Sequence, residues 1–314
     1  MGNIAIAIHG GAGTLMTGAV SPDREKAYHE KLSEALLAGY NVLKQGGTSV
    51  DAVEAAVRVM EDCPLFNSGK GSVFNSDGKN EMDAAIMNGK NLKAGAIAEV
   101  MTIRNPISAA KAVMEKSKHV LLASHGAEQF AKESGLEIVD PSYFYDEERH
   151  QQWLATKDKD VNAWAGDSIP LPTGASEKKF GTVGAVALDS HGNLAAATST
   201  GGINNKKFGR IGDCPIIGAG TYANNKTCAV SCTGEGEFFI RNVAAYDISA
   251  LMEYKNLTLA QATTEVVKKV AQLGGEGGLI SIDSQGTISA PFNTASMFRG
   301  WIDTTGEKYT GIFR

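Results

Sequence analysis

Gly181-Thr182-Val183-Gly184-Ala185-Val186-Ala187-Leu188-Asp189 is a run of small apolar residues that begins with a hydroxyl placed straight after a glycine. Its length and composition are those of a buried strand. Residues 168–180, just upstream, are rich in Pro, Gly, Ser and Lys and read as an exposed loop, so the chain passes from loop to strand at the Gly181–Thr182 bond. A strand that starts this way could present a new chain terminus. Downstream, Leu194-Ala195-Ala196-Ala197-Thr198-Ser199-Thr200-Gly201-Gly202 is a second apolar strand, and Ser190-His191-Gly192-Asn193 between the two has the residues of a tight hairpin turn. If Ser190 faces Asn193 across that turn, Thr182 lies opposite Gly201 and beside Thr200. Two threonines then meet at one end of a sheet.

Threonine is a poor nucleophile at neutral pH and needs an adjacent base. None of the six histidines falls in a triad motif, and the chain has no Gly-x-Ser-x-Gly elbow, HExxH, P-loop or GxGxxG fingerprint. A terminal amine is the remaining option. Were the Gly181–Thr182 bond cut, Thr182 would carry an α-amine whose ordinary pKa is about 7.7 to 8.0, able to take the proton of its own hydroxyl.

The chain as a whole is an ordinary globular sequence of 314 residues with a formal charge of −5. Its 30 Lys and Arg are dispersed without a basic stripe, which argues against nucleic acid and anionic membranes as partners. No segment approaches the apolar run of about 18 residues that a membrane helix needs. Cys63, Cys214, Cys228 and Cys232 form no CxxC pair, and the opening residues run into a glycine-rich turn without an apolar leader, so a reduced, cytoplasmic protein is expected. The sequons at Asn225 and Asn256 are then without meaning.

Along the chain, 4–8 reads as a strand leaving through the loop His9-Gly10-Gly11-Ala12-Gly13, which is either a turn needing glycine dihedrals or backbone brought close to a ligand. Amphipathic helices are predicted over 23–45 and 49–60, as an outer layer. The loop 64–72 offers oxygens to a small hard cation, although on these residues alone a plain loop is the better reading. Strands at 83–87 and 94–103 flank an Asn-Gly turn, and helices at 105–115 and 127–134 flank a short strand at 119–123. A charged helical patch at 146–156 leads into a long polar linker containing Trp164, functional or a processing segment. Beyond the hairpin come a polar loop at 204–213, strands at 216–222 and 229–232, helices at 239–254 and 259–273, and strands at 279–282 and 292–297. Gly234 and Gly236 precede the first of those helices, a natural place for an oxyanion or carboxylate.

Taken together, Gly181-Thr182-Val183-Gly184-Ala185-Val186, His9-Gly10-Gly11-Ala12-Gly13, Cys63-Pro64-Leu65-Phe66-Asn67-Ser68-Gly69, Thr198-Ser199-Thr200-Gly201-Gly202, Gly209-Arg210-Ile211-Gly212-Asp213 and Thr233-Gly234-Glu235-Gly236 resemble the plant-type L-asparaginase and isoaspartyl peptidase family of N-terminal nucleophile hydrolases, and most of all its bacterial members. The blocks cover nearly the whole chain, in order. The resemblance implies a single αββα sandwich over 1–314 that cuts itself at Gly181–Thr182 into an α subunit 1–181, with a C-terminal linker of about 155–181, and a β subunit 182–314. It also implies a dimer of such heterodimers that hydrolyses β-aspartyl dipeptides and L-asparagine.

By the same resemblance, Thr182 is nucleophile and base, and Thr200 steers it. Arg210 takes the substrate α-carboxylate and Asp213 its α-ammonium, a planar fork and a counter-charge suited to those groups. Thr233 Oγ and the Gly234 N–H form the oxyanion hole, and the Gly236 backbone completes the pocket. No cofactor and no catalytic metal is implied. A structural sodium is, on the main-chain carbonyls of Met60, Glu61, Cys63, Phe66, Ser68 and Lys70. Two other readings compete: a glycosylasparaginase, usually secreted, and an uncleaved, non-catalytic binding member.

Overall fold

A computed structural model of the chain describes residues 2–158 and 181–314. The linker expected over about 155–181, with Trp164 and residues 168–180, therefore lies almost wholly outside the described residues. In chain order the elements are β1 (Ala5–Gly13), α1 (Pro22–Lys44), α2 (Ser49–Glu61), β2 (Met82–Asn88), β3 (Ala94–Val100), α3 (Pro106–Lys116), β4 (Leu121–Ala123), α4 (Ser124–Glu133), α5 (Glu147–Leu154), β5 (Val183–Leu188), β6 (Leu194–Thr200), β7 (Thr221–Ala223), β8 (Cys228–Gly234), α6 (Gly236–Asn242), α7 (Ala244–Lys255), α8 (Leu259–Gln272), β9 (Gly277–Asp283), β10 (Ile288–Ser289), β11 (Ser296–Ile302) and β12 (Lys308–Phe313). The strands form an eight-stranded sheet, order β12-β11-β1-β5-β6-β2-β3-β4, and a four-stranded sheet, order β10-β9-β8-β7.

Strand alternation decides what each sheet face buries. In β1 and β5, Ile6, Ile8, Ala185 and Ala187 point into a core shared with α1, α2 and α3. Their neighbours Ala5, Ala7, Val186 and Leu188 point the other way, onto Ala229, Ile280 and Ile282 of the smaller sheet. The smaller sheet's outer face, with Val230, Cys232 and Leu279, packs on Ile248 and Leu251 of α7 and Val266 and Val270 of α8. The fold is mixed α/β, with helices packed on sheets. Because β1, β5 and β6 are covered on both faces, every residue of them is buried, which is why they read as runs of small, mostly apolar residues rather than as an apolar–polar alternation.

The helices follow their local signals. Ser21 Oγ caps α1 by accepting from Arg24 N, with Pro22 in the first turn; Thr48 caps α2, and Thr258 and Gln261 make a reciprocal capping box on α8.

Several expectations need correction. The hairpin pairs Val183 with Ser199 and Leu188 with Leu194, and Asp189 N bonds Asn193 O, so the turn is the three residues Ser190-His191-Gly192 and Thr182 is level with Thr200, not Gly201. Asp189 causes the shift: its Oδ1 accepts from the backbone of both His191 and Asn193, and Gly192 supplies a φ of 78°. His9 to Gly13 is not a loop but the end of β1, bulged between His9 and Gly11. The helix expected over 239–254 is two helices, α6 and α7, broken where Val243 adopts φ 48°. Residues 216–220 make turns, and only Thr221–Ala223 is strand. The last expected strand begins at Ser296 rather than 292, and β10 and β12 were not foreseen.

Candidate active site

Thr182 is buried just before β5, and its Oγ1 donates to Thr200 Oγ1 at 3.2 Å. Thr200 Oγ1 also accepts from Gly202 N at 3.0 Å. Asn67, from the loop after α2, buttresses this end of the sheet. Its Nδ2 donates to Gly202 O at 2.7 Å, its carbonyl accepts from Gly201 N at 3.1 Å, and a Cβ on Gly181 would lie 2.7 Å from its own Cβ.

The carbonyl of Thr182 is held at 2.9 Å by Nδ1 of His9, whose Nε2 is 2.9 Å from Ser231 Oγ. Full burial lowers the His9 pKa to about 3 against the smaller upward pull of that carbonyl, so the ring is neutral. A carbonyl only accepts, so Nδ1 carries the proton and Nε2 accepts from Ser231. The same strand reaches Thr233: Ala12 N donates to Thr233 Oγ1 at 3.1 Å, leaving the fully buried hydroxyl its own proton to give. Gly234, at φ 147°, turns so tightly that a Cβ would strike the Glu276 carbonyl. α6, which follows, is only seven residues long.

Arg210 and Asp213 come together beside Gly236, where a Cβ would lie 2.8 Å from Asp213 Oδ1 and 3.0 Å from Arg210 Nη2. Arg210 donates from Nε and Nη2 to the two oxygens of Glu237, both at 2.9 Å. Burial works to raise the Glu237 pKa, but the Arg210 fork outweighs it and holds the carboxylate below its usual value. Asp213 is buried with Oδ2 unpartnered among the described residues, and burial pushes its pKa up to about 7 despite the nearby Arg210. Among the described residues Arg210 gives no hydrogen bond from Nη1 and Asp213 Oδ2 accepts none, an arrangement that suits the carboxylate and ammonium of an amino acid.

Three nearby groups escaped the sequence reading. Glu237 gives no local sign that it pairs with Arg210. Asp83 lies on β2 across from Thr200, buried, with Oδ1 accepting from Glu99 N at 3.0 Å and Oδ2 unpartnered among the described residues. His9 stood in a quoted motif, but its partner Ser231 is 222 residues away.

In the loop after α2, a Cβ on Gly69 would strike the Glu61 carbonyl, and one on Gly71 the Phe66 carbonyl, with Pro64 O at 2.7 Å. The carbonyls of Glu61, Pro64 and Phe66 thus lie against these two glycines. Met60, Phe66 and Ser68 carbonyls also accept loop N–H groups, and the Lys70 ammonium sits 5.3 Å over the Tyr143 ring. The Glu61 carboxyl faces elsewhere, accepting from Ser199 Oγ at 2.7 Å and Ile107 N at 2.9 Å.

A family model described as Asparaginase matches residues 2–312. The isoaspartyl peptidase of Escherichia coli K12 is 50% identical over 100% of this chain and 97% of its own. That of Salmonella typhimurium LT2 is 49% identical over 100% of both chains. The isoaspartyl peptidase/L-asparaginase of Rattus norvegicus is 43% identical over 94% of this chain and 85% of its own. With a match that runs through β1, the threonine pair at the mouth of β5 and the Arg210 loop to the last strand, the chain belongs to the asparaginase family.

Proposed function

We propose that the chain is an isoaspartyl peptidase with L-asparaginase activity, which cuts itself at Gly181–Thr182 and uses the freed Thr182 as nucleophile and base. The observation that carries this reading is the contact of Thr182 Oγ1 with Thr200 Oγ1 at 3.2 Å, at the buried start of β5, in a chain half identical to an isoaspartyl peptidase. The α-amine of Thr182 takes the hydroxyl proton, and Oγ1 attacks the substrate's β-carbonyl. The oxyanion is met by Thr233 Oγ and Gly234 N–H; the leaving amine departs with a proton, and water hydrolyses the ester. Arg210 binds the α-carboxylate through its free edge, Asp213 the α-ammonium, and the Gly236 backbone closes the pocket.

The layering of helices and sheets is read as an αββα sandwich of the N-terminal nucleophile hydrolase type, one domain over 1–314 divided into subunits 1–181 and 182–314 that assemble as a dimer of heterodimers. A structural sodium is proposed on the main-chain carbonyls of Met60, Glu61, Cys63, Phe66, Ser68 and Lys70; the Glu61 and Phe66 carbonyls lying against Gly69 and Gly71 support it. It would offset their dipoles and stiffen the loop that carries Asn67. The four cysteines are buried and unpaired, which fits a reducing cytoplasm, and no helix among the described residues is long and apolar enough to cross a membrane.

Steady-state hydrolysis tests the substrate class. A β-aspartyl dipeptide and L-asparagine should turn over, whereas the N-acetylated dipeptide and a glycosylated asparagine should not. Equal turnover of the acetylated dipeptide would remove the Arg210 and Asp213 clamp from the account.

A further inference from the structure

The ladder of β5 begins at Val183, one residue after Thr182. On its other side, pairing with β1 runs from Ala5↔Leu188 to His9↔Gly184 and stops, because β1 bulges between His9 and Gly11. At that break a side chain takes the carbonyl of Thr182 in place of a strand N–H, the His9 Nδ1–H at 2.9 Å.

The ring is itself fixed from behind. Ser231 Oγ lies 2.9 Å from Nε2 and 2.7 Å from Thr198 Oγ1, which is 2.6 Å from Thr221 Oγ1. Since Nε2 accepts, Ser231 donates to His9, Thr198 to Ser231 and Thr221 to Thr198, and the His9 Nδ1–H goes to the Thr182 carbonyl. The two threonines do so in preference to the Gly220 carbonyl 3.4 Å from Thr198 Oγ1 and the Cys214 carbonyl 3.1 Å from Thr221 Oγ1. Gly184 makes room for this chain: a Cβ there would strike Ser231 Oγ and lie 2.5 Å from His9 Nε2.

Before scission, Thr182 is tethered through peptide bonds on both sides. Afterwards the upstream tether is gone. Among the described residues, what remains is the bond to Val183, the contact of the reacting hydroxyl with Thr200, and the His9 bond. Of the two side-chain contacts, only the one to His9 avoids the reacting atom and so persists unchanged through turnover.

We propose that His9 is a positioning residue, whose Nδ1–H bond to the Thr182 carbonyl fixes the backbone of the freed threonine so that its amine and hydroxyl stay aimed at the substrate, with Ser231 holding the ring in plane. This rests on the reading of Thr182 as nucleophile. The ring stays neutral, so its part is geometric and adds no limb to the pH profile.

The test uses His9→Asn, which places an amide N–H near Nδ1, and His9→Gln, which places one near Nε2 instead. Both are compared with wild type as kcat per cleaved chain, with cleavage quantified by mass spectrometry. His9→Asn should cleave and keep kcat close to wild type. His9→Gln should lose kcat on the order of 10²-fold with KM unchanged, or fold and fail to cleave, since misplacing a reacting group by about 1 Å costs that much. Should His9→Gln not fold, Ser231→Ala leaves the anchoring bond but loosens the ring, and kcat should fall while KM holds. A purely structural role would lower the Tm in every variant and leave kcat per cleaved chain at the wild-type value; that result overturns the proposal. Thr182→Ala, run alongside, separates the two ideas. If it still turns over substrate the nucleophile reading has failed, and if it is dead while His9→Gln has wild-type kcat only the positioning role has failed.

Discussion

Asp213 holds a buried oxygen with no partner among the described residues, and its pKa of about 7 follows from that burial. On the proposed reading the free enzyme ionises Asp213 to receive an α-ammonium, so kcat/KM should rise with pH through about 7. Bound ammonium keeps the carboxylate ionised, so kcat should lack that limb and show only the titration of the threonine amine. The stability consequence has a definite sign. A carboxyl with a folded pKa above its unfolded one contributes most below about 4 and loses that contribution as pH rises through about 7. Asp213→Asn is neutral throughout, so its Tm relative to wild type should climb between these limits; a constant difference would place Asp213 in a more polar setting than its burial indicates. Thr233→Val keeps shape and removes one donor, and kcat should drop roughly 10² to 10³-fold with little change in KM. The residues legible in sequence were those whose chemistry sits in short blocks, such as the Arg210 loop. Glu237, Asp83 and the bond from His9 to Ser231 were not, because each acquires meaning only from a partner that folding delivers from another element.

The hairpin between β5 and β6 shows how much an element depends on its turn. Apolar runs marked both strands, but one polar side chain, Asp189, captures two backbone N–H groups and lengthens the turn by a residue. The consequence reaches the site, because it brings Thr182 level with Thr200. Gly192 carries the left-handed conformation that this turn requires and has open space around it, so Gly192→Ala should cost about 1 kcal/mol in urea unfolding and leave kcat unchanged. Gly184→Ala is the opposite case: its methyl group would strike Ser231 across the two sheets, and loss of folded protein is expected. The break between α6 and α7 was illegible for a related reason. Val243 is a poor residue for φ 48°, and its exposed side chain gives the sequence no sign of the break. Val243→Asn, better suited to that conformation, should raise the Tm.

Across the whole molecule, the two described segments are woven into one sheet. Residues before the linker supply β1, β2, β3 and β4, and residues after it supply β5, β6, β11 and β12, so β5 and β6 lie between β1 and β2. Cutting the chain at Gly181–Thr182 therefore leaves each piece hydrogen-bonded to the other on both sides. Cleaved protein should elute as one species, unfold in a single transition, and separate only in denaturant; fragments that part on native chromatography would contradict this interleaving. The composition of β1, β5 and β6 disclosed that they were buried. It did not disclose which strands neighbour which, since alanine-rich runs of this kind pair equally well in several orders.

Everything chemical in this account turns on a new terminus at Thr182. The most direct measurement is the intact mass of the purified protein under denaturing conditions, with the N-terminal residue of each component identified, for wild type and Thr182→Ala in parallel. Wild-type protein that hydrolyses a β-aspartyl dipeptide should contain a chain beginning at Thr182, and Thr182→Ala should remain one chain of 314 residues without activity. An active wild-type preparation that persists as a single uncut chain would contradict the account.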